Sequence, residues 1–108
     1  MNADTQALVH VLERLALLLE GDGDQHWSQW MRRARTRLLA GDGGGAEFLL
    51  SAYGGMGSFN DVVLGQHYDS NGFSWKPGHV ELNDRFDELR GAAYTLAQQI
   101  RRSRADTP

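Results

Sequence analysis

The chain has 108 residues, 41% apolar and 23% charged, with a formal net charge of −3 and no cysteine. That length suits one domain and buries about 65% of the unfolded surface, enough for a core without metal or disulfide staples. The missing cysteines exclude disulfides, thiol catalysis and thiolate zinc sites, and the acidic balance argues against nucleic acid as a partner. The opening MNADTQ lacks basic residues, and Glu13 and Arg14 interrupt the apolar stretch after it. No apolar run approaches the roughly 18 residues of a membrane span. The expected setting is therefore a bacterial cytoplasm, with no membrane partner.

Leu8, Val11, Leu12, Leu15, Leu18 and Leu19 recur at three- and four-residue spacing, predicting a first helix from Asp4 to Glu20. Asp4 is its expected N-cap and Gly21 its stop. Val9, Ala16 and Leu17 widen the apolar stripe, the pattern of a helix that also pairs with a second copy of the chain. A second helix follows, capped by Asp24, with Trp27, Trp30, Met31, Ala34 and Leu38 on one side and Gly41 at its end. Its two tryptophans are expected to supply the heaviest part of the core. Arg32, Arg33, Arg35 and Arg37 fan around the other side, read as a solvated face or, alternatively, as a docking face for an acidic protein.

A short third helix is predicted from Gly45 to Tyr53, stopped by Gly54, with a brief turn at Asn60–Leu64 beyond it. Residues 66–76 carry Asn71-Gly72, the signal of a type I′ hairpin with positive φ at both central residues. Tyr68, Phe73 and Trp75 fall on one face of that ribbon, His67 and Ser74 on the other. A lone hairpin is marginal in water, so it is expected to lie against the helices. Asn83 is the expected cap of a last helix reaching Arg102, with Phe86, Leu89, Ala93, Leu96 and Ile100 inward and a frayed tail at 103–108. The predicted fold is mainly α: a single domain over 1–108 with three long helices, one short helix and a small β-hairpin insert.

The sequence GGMGSFND at 54–61 admits two readings. As structure, Gly54 stops a helix, Gly55 and Gly57 allow positive φ, and Ser58 with Asp61 forms a capping box for a turn that Gly65 ends. As a site, the amides from Gly55 to Phe59 form a concavity for an anion or a carboxylate. The candidate binding loop is then Gly55, Met56, Gly57, Ser58, Phe59, Asn60 and Asp61. It is no phosphate loop, because the Walker and dinucleotide glycine patterns are absent and no Lys or Arg lies between Arg37 and Lys76.

The segments LLSAYGGMGSFNDVVL and LNDRFDELRGAAYTLA resemble a family of small uncharacterised bacterial proteins marked by a GGMGSxND-type loop. Gly54, Gly55, Met56, Gly57, Ser58, Asn60 and Asp61 match that signature, with Asn83 as a further match. The resemblance implies no established activity.

Other site chemistry finds little support. His10, His26, His67 and His79 are scattered, without a metal-binding spacing. A calcium loop opening at Asp22 would need a bidentate Glu at its twelfth position, which is Arg33. No serine has a nucleophile setting. No cofactor, metal or catalytic residue is assigned. Two functional readings remain open. One is a non-enzymatic protein-binding module of immunity or antitoxin type, blocking a toxin-like protein through the aromatics Phe59, Tyr68, Phe73 and Trp75. The other is a small hydrolase or ligand-binding domain with a pocket at 54–61, using Asn60, Asp61 and His67.

Overall fold

A leucine stripe capped by an amide side chain begins the chain. In the computed structural model, which describes residues 1–105, α1 spans Ala3–Gly21 and the side chain of Asn2 accepts the Thr5 amide at 2.8 Å. The cap is Asn2 rather than Asp4. Asn2 holds the extended backbone a cap needs, while Asp4 sits inside the first turn, where its charge suits the helix dipole. Leu8, Leu12, Leu15, Ala16 and Leu19 are buried. Ala16 is therefore spent on the chain's own core, and Leu17 alone of the proposed dimer residues stays exposed.

Asp24 accepts the Trp27 amide at 3.0 Å and opens α2, Gln25–Leu39. Met31, Ala34 and Leu38 are buried, but Trp27 and Trp30 stay at the rim. An indole N–H needs a partner, and that of Trp30 finds the Phe48 carbonyl at 3.3 Å while its ring stacks on Phe48. The heaviest fully buried side chains are instead Phe59 and Phe86. The arginines of α2 are largely engaged within the chain. Arg32 pairs with Glu20 and Glu13, and Arg35 lies against Glu13, fastening α2 to α1. Arg37 closes on Asp42 at the end of the helix. The Arg32 guanidinium holds the Glu20 carboxyl below the usual range.

Helix α3, Gly45–Leu50, ends earlier than predicted. The amides of Ala52 and Tyr53 reach back only three residues, to Leu49 and Leu50, so the chain tightens before Gly54. Helix α4, His79–Ala105, starts four residues before the predicted cap at Asn83, directly after Pro77-Gly78. Its 27 residues span about 40 Å and bury Phe86, Ala93, Ala97 and Ile100. It continues past Arg102 to Ala105; residues 106–108 of the tail predicted to fray lie outside the described residues. Helix α1 packs on α2 and α4, and α3 bridges α2 and α4. The mainly α architecture, with three long helices, one short helix and a hairpin, is the one expected. Among the described residues no helix is long and apolar enough to cross a membrane.

Strands β1 (Gln66–Asp69) and β2 (Gly72–Trp75) pair antiparallel, with Tyr68 opposite Phe73 and Asp69 opposite Gly72. The turn is Ser70-Asn71, not Asn71-Gly72. The Asp69 carboxylate accepts the Asn71 amide at 2.8 Å, and only Gly72, at φ +105°, is left-handed. This aspartate closure replaces the predicted type I′ turn. The hairpin meets α4 at its Trp75 end, while all eight of its strand residues are exposed. Its base is tied by the Lys76 amide on the Gly65 carbonyl at 2.8 Å and by Trp75 stacked on His79.

Candidate functional site

The glycine corner is a joint built around one phenylalanine. Gly54, Gly55 and Gly57 have φ of +97°, +80° and +76°, and Met56 at the tip is 100% exposed. The reversal they permit drives Phe59 into the core, where it is 0% exposed and meets Tyr53 and Phe86 edge-on, with Trp27 tilted against it. Phe59, expected with Tyr68, Phe73 and Trp75 to face a partner, is instead a core residue. A loop full of glycine and polar residues hides the fact that its one large ring points inward.

The capping box forms only in part. Ser58 is extended and its hydroxyl accepts the Asn60 amide at 3.2 Å, opening a single 3-10 turn, Phe59–Asp61. The Asp61 carboxylate turns back to the Gly57 amide at 2.6 Å instead of the Ser58 amide. Val62 is already extended, so no turn continues through Val63. The Phe59 amide bonds the Ala52 carbonyl and the Asp61 amide bonds Ser58. Of the amides from Gly55 to Phe59, that of Gly57 is thus taken by Asp61 and that of Phe59 by Ala52.

Helix α4 locks this joint from outside. Arg90 donates from Nη1 to the carbonyls of Phe59 at 2.8 Å and Val62 at 3.0 Å, while Nη2 reaches Asp87 and its guanidinium lies 4.7 Å from the Phe86 ring centre. Asn83 clamps Leu64: its oxygen accepts the Leu64 amide, and its nitrogen donates to the carbonyls of Leu64 and His79, each at 2.8 Å. Asp22 accepts the Gly65 amide at 2.9 Å and the Lys76 ammonium at 3.1 Å. Tyr53 donates its hydroxyl to the Arg90 carbonyl at 2.8 Å, and burial pushes its phenol well above the ordinary range.

Gly65 is where loop and helix come closest. Its φ is +83°, and a Cβ there would stand 2.7 Å from the Cβ of His79. Gly65→Ala is expected to lower stability by at least about 2 kcal/mol, from left-handed strain and overpacking together. Urea unfolding of the variant beside the parent measures it.

The sequence-predicted pocket residues do not converge. Asn60 lines two shallow grooves on α4, whereas Asp61 and His67 line neither. His67 lies 3.3 Å from Asp69 on the polar face of the hairpin. Among the described residues no three His, Asp or Glu side chains group to hold a metal ion.

What does converge is apolar. On the other hairpin face the rings of Tyr68, Phe73, Trp75 and His79 follow one another at centroid spacings of 5.2, 5.0 and 4.7 Å. Val63 and Val80 extend this strip into the groove beside Trp75, which Asn60, Asp84 and Asp87 also line. A second groove continues past Asn60 and Arg90 to Tyr53, Tyr94 and Arg101. Sequence reasoning found the hairpin rings but missed Val63, Val80 and Asp84. Pro77-Gly78 was the available signal, because an earlier start of α4 brings Val80 and Asp84 beside Trp75.

Residues 20–70, just under half of the chain, match the family DUF6966, described as a domain of unknown function. The matched segment contains α2, α3, the glycine corner and β1. No curated protein and no solved structure matches the chain.

Proposed function

We propose that the protein is a non-enzymatic binding module that docks another protein on the aromatic face of its hairpin. Its concrete role in this reading is that of an immunity or antitoxin-like protein, blocking a toxin-like protein of the same bacterium. One observation carries the proposal. Of the ten exposed large apolar side chains among the described residues, five (Val63, Tyr68, Phe73, Trp75 and Val80) share this one surface. A contiguous apolar patch held out in water costs solubility, and such patches mark contact surfaces. Rigid aromatic anchors are also the side chains that dominate docking energies.

Trp75→Ala is expected to weaken binding to the native partner by about 30-fold or more, the loss of a 2 kcal/mol anchor. Trp75 lies outside the core, so the stability lost should be no more than about 1.5 kcal/mol, the worth of its stack on His79. Calorimetric titration against the product of the adjacent gene, with thermal melts of both chains, reads both quantities. An adjacent product that never binds, or that binds Trp75→Ala as tightly as the parent, would remove the proposal. The hydrolase reading has no comparable support, since Asn60, Asp61 and His67 do not share a groove.

A further inference from the structure

The docking surface is uneven in charge, and that unevenness bears on its partner. Two cations beside the aromatic strip, Lys76 and Arg90, are committed elsewhere. Lys76 pairs with Asp22, and Arg90 is turned onto two carbonyls and Asp87. Asp87 is thereby answered. The side chain of Asp84, exposed in the same groove as Trp75 and Val80, has no ion pair or hydrogen bond among the described residues. An unanswered carboxylate beside stacked rings is the setting in which a guanidinium or ammonium gains both a charge partner and a ring face.

The backbone adds a direction. Gly65 and Lys76 are joined by a hydrogen bond in register with the hairpin. Bonded and non-bonded pairs alternate in an antiparallel ladder, so His67–Ser74 and Asp69–Gly72 are the bonded pairs. The amides and carbonyls of Phe73 and Trp75 then point away from β1, along a free edge whose side chains lie on the aromatic face. An extended segment can add to that edge and lay alternate side chains over the rings. A second copy of this chain is a poor occupant, because it would bring Asp84 towards another carboxylate-bearing surface.

We infer that the hairpin edge and Asp84 together receive an extended basic segment of another protein, with apolar side chains alternating with arginine or lysine. This rests on the docking-face reading above and names the chemistry of its partner. The test titrates the isotope-labelled full chain with matched arginine–valine, glutamine–valine and glutamate–valine hexapeptides, following the Trp75 indole and the Phe73, Trp75 and Asp84 amides by NMR. The arginine peptide should give saturable shifts at these positions, with the other two at least about tenfold weaker, and Asp84→Lys should weaken the arginine peptide by about tenfold. Equal or tighter binding of the glutamine or glutamate peptide, or an unchanged affinity in Asp84→Lys, overturns the charge assignment and leaves the docking face standing. No shift with any peptide overturns the inference as well, while Trp75→Ala against the native partner decides the docking face separately.

Discussion

Phe59→Ala should cost about 3–5 kcal/mol of unfolding free energy, the range for deleting a fully buried aromatic ring. The reason lies in what surrounds it. The ring is in contact with Tyr53, Phe86 and Trp27, which belong to three different parts of the chain. Trp27 and Phe86 sit on helices, so neither can collapse into the void without moving one. Against a total of about 5–15 kcal/mol for a domain of this size, the loss removes a large share of the stability. Phe59→Leu should retain most of the stability, because volume is largely kept. Met56→Ala, three residues away and fully exposed, should change it by no more than about 0.5 kcal/mol. Urea denaturation of the three variants makes the comparison, and a Met56→Ala loss approaching that of Phe59→Ala would contradict the packing described.

Arg90→Met carries the second-largest expected effect, about 2–4 kcal/mol. Methionine preserves length and apolar contact with Phe86 but removes every donor. The carbonyls of Phe59 and Val62 then lose a charged partner at the edge of the core, and Asp87 loses its cation. Arg90→Lys should recover only part of the loss. A single ammonium cannot reproduce the planar fork that spans two carbonyls and a carboxylate. Thermal melts rank the three proteins parent, Lys, Met; a methionine variant as stable as the parent would show that α4 does not hold the corner.

Much of the helical frame was legible because its signals are local. The leucines of α1 repeat at helical spacing, and Asp24 caps α2 through its own next turn. The hairpin was located by Asn71-Gly72 for the same reason. Its turn was misread because Asp69, outside the dipeptide, bonds the Asn71 amide and shifts the turn by one residue. Asn83 misled in the opposite way. An asparagine before an apolar stripe resembles a cap, yet its amide serves Leu64, 19 residues away in sequence. The inward turn of Phe59 and the meeting of Val63, Trp75, Val80 and Asp84 depend on contacts between separate segments. No periodicity encodes those.

Native-state hydrogen exchange measures directly whether the glycine corner is a joint. The amides of Phe59, Leu64 and Gly65 are bonded to Ala52, Asn83 and Asp22, partners on both sides of the corner. If the chain is locked there, these three amides exchange only with free energies close to that of global unfolding, alongside the buried turns of α1 and α4. Exchange at the rate of an open loop, with Phe59 as fast as the amide of exposed Met56, would show a free surface loop and contradict the joint.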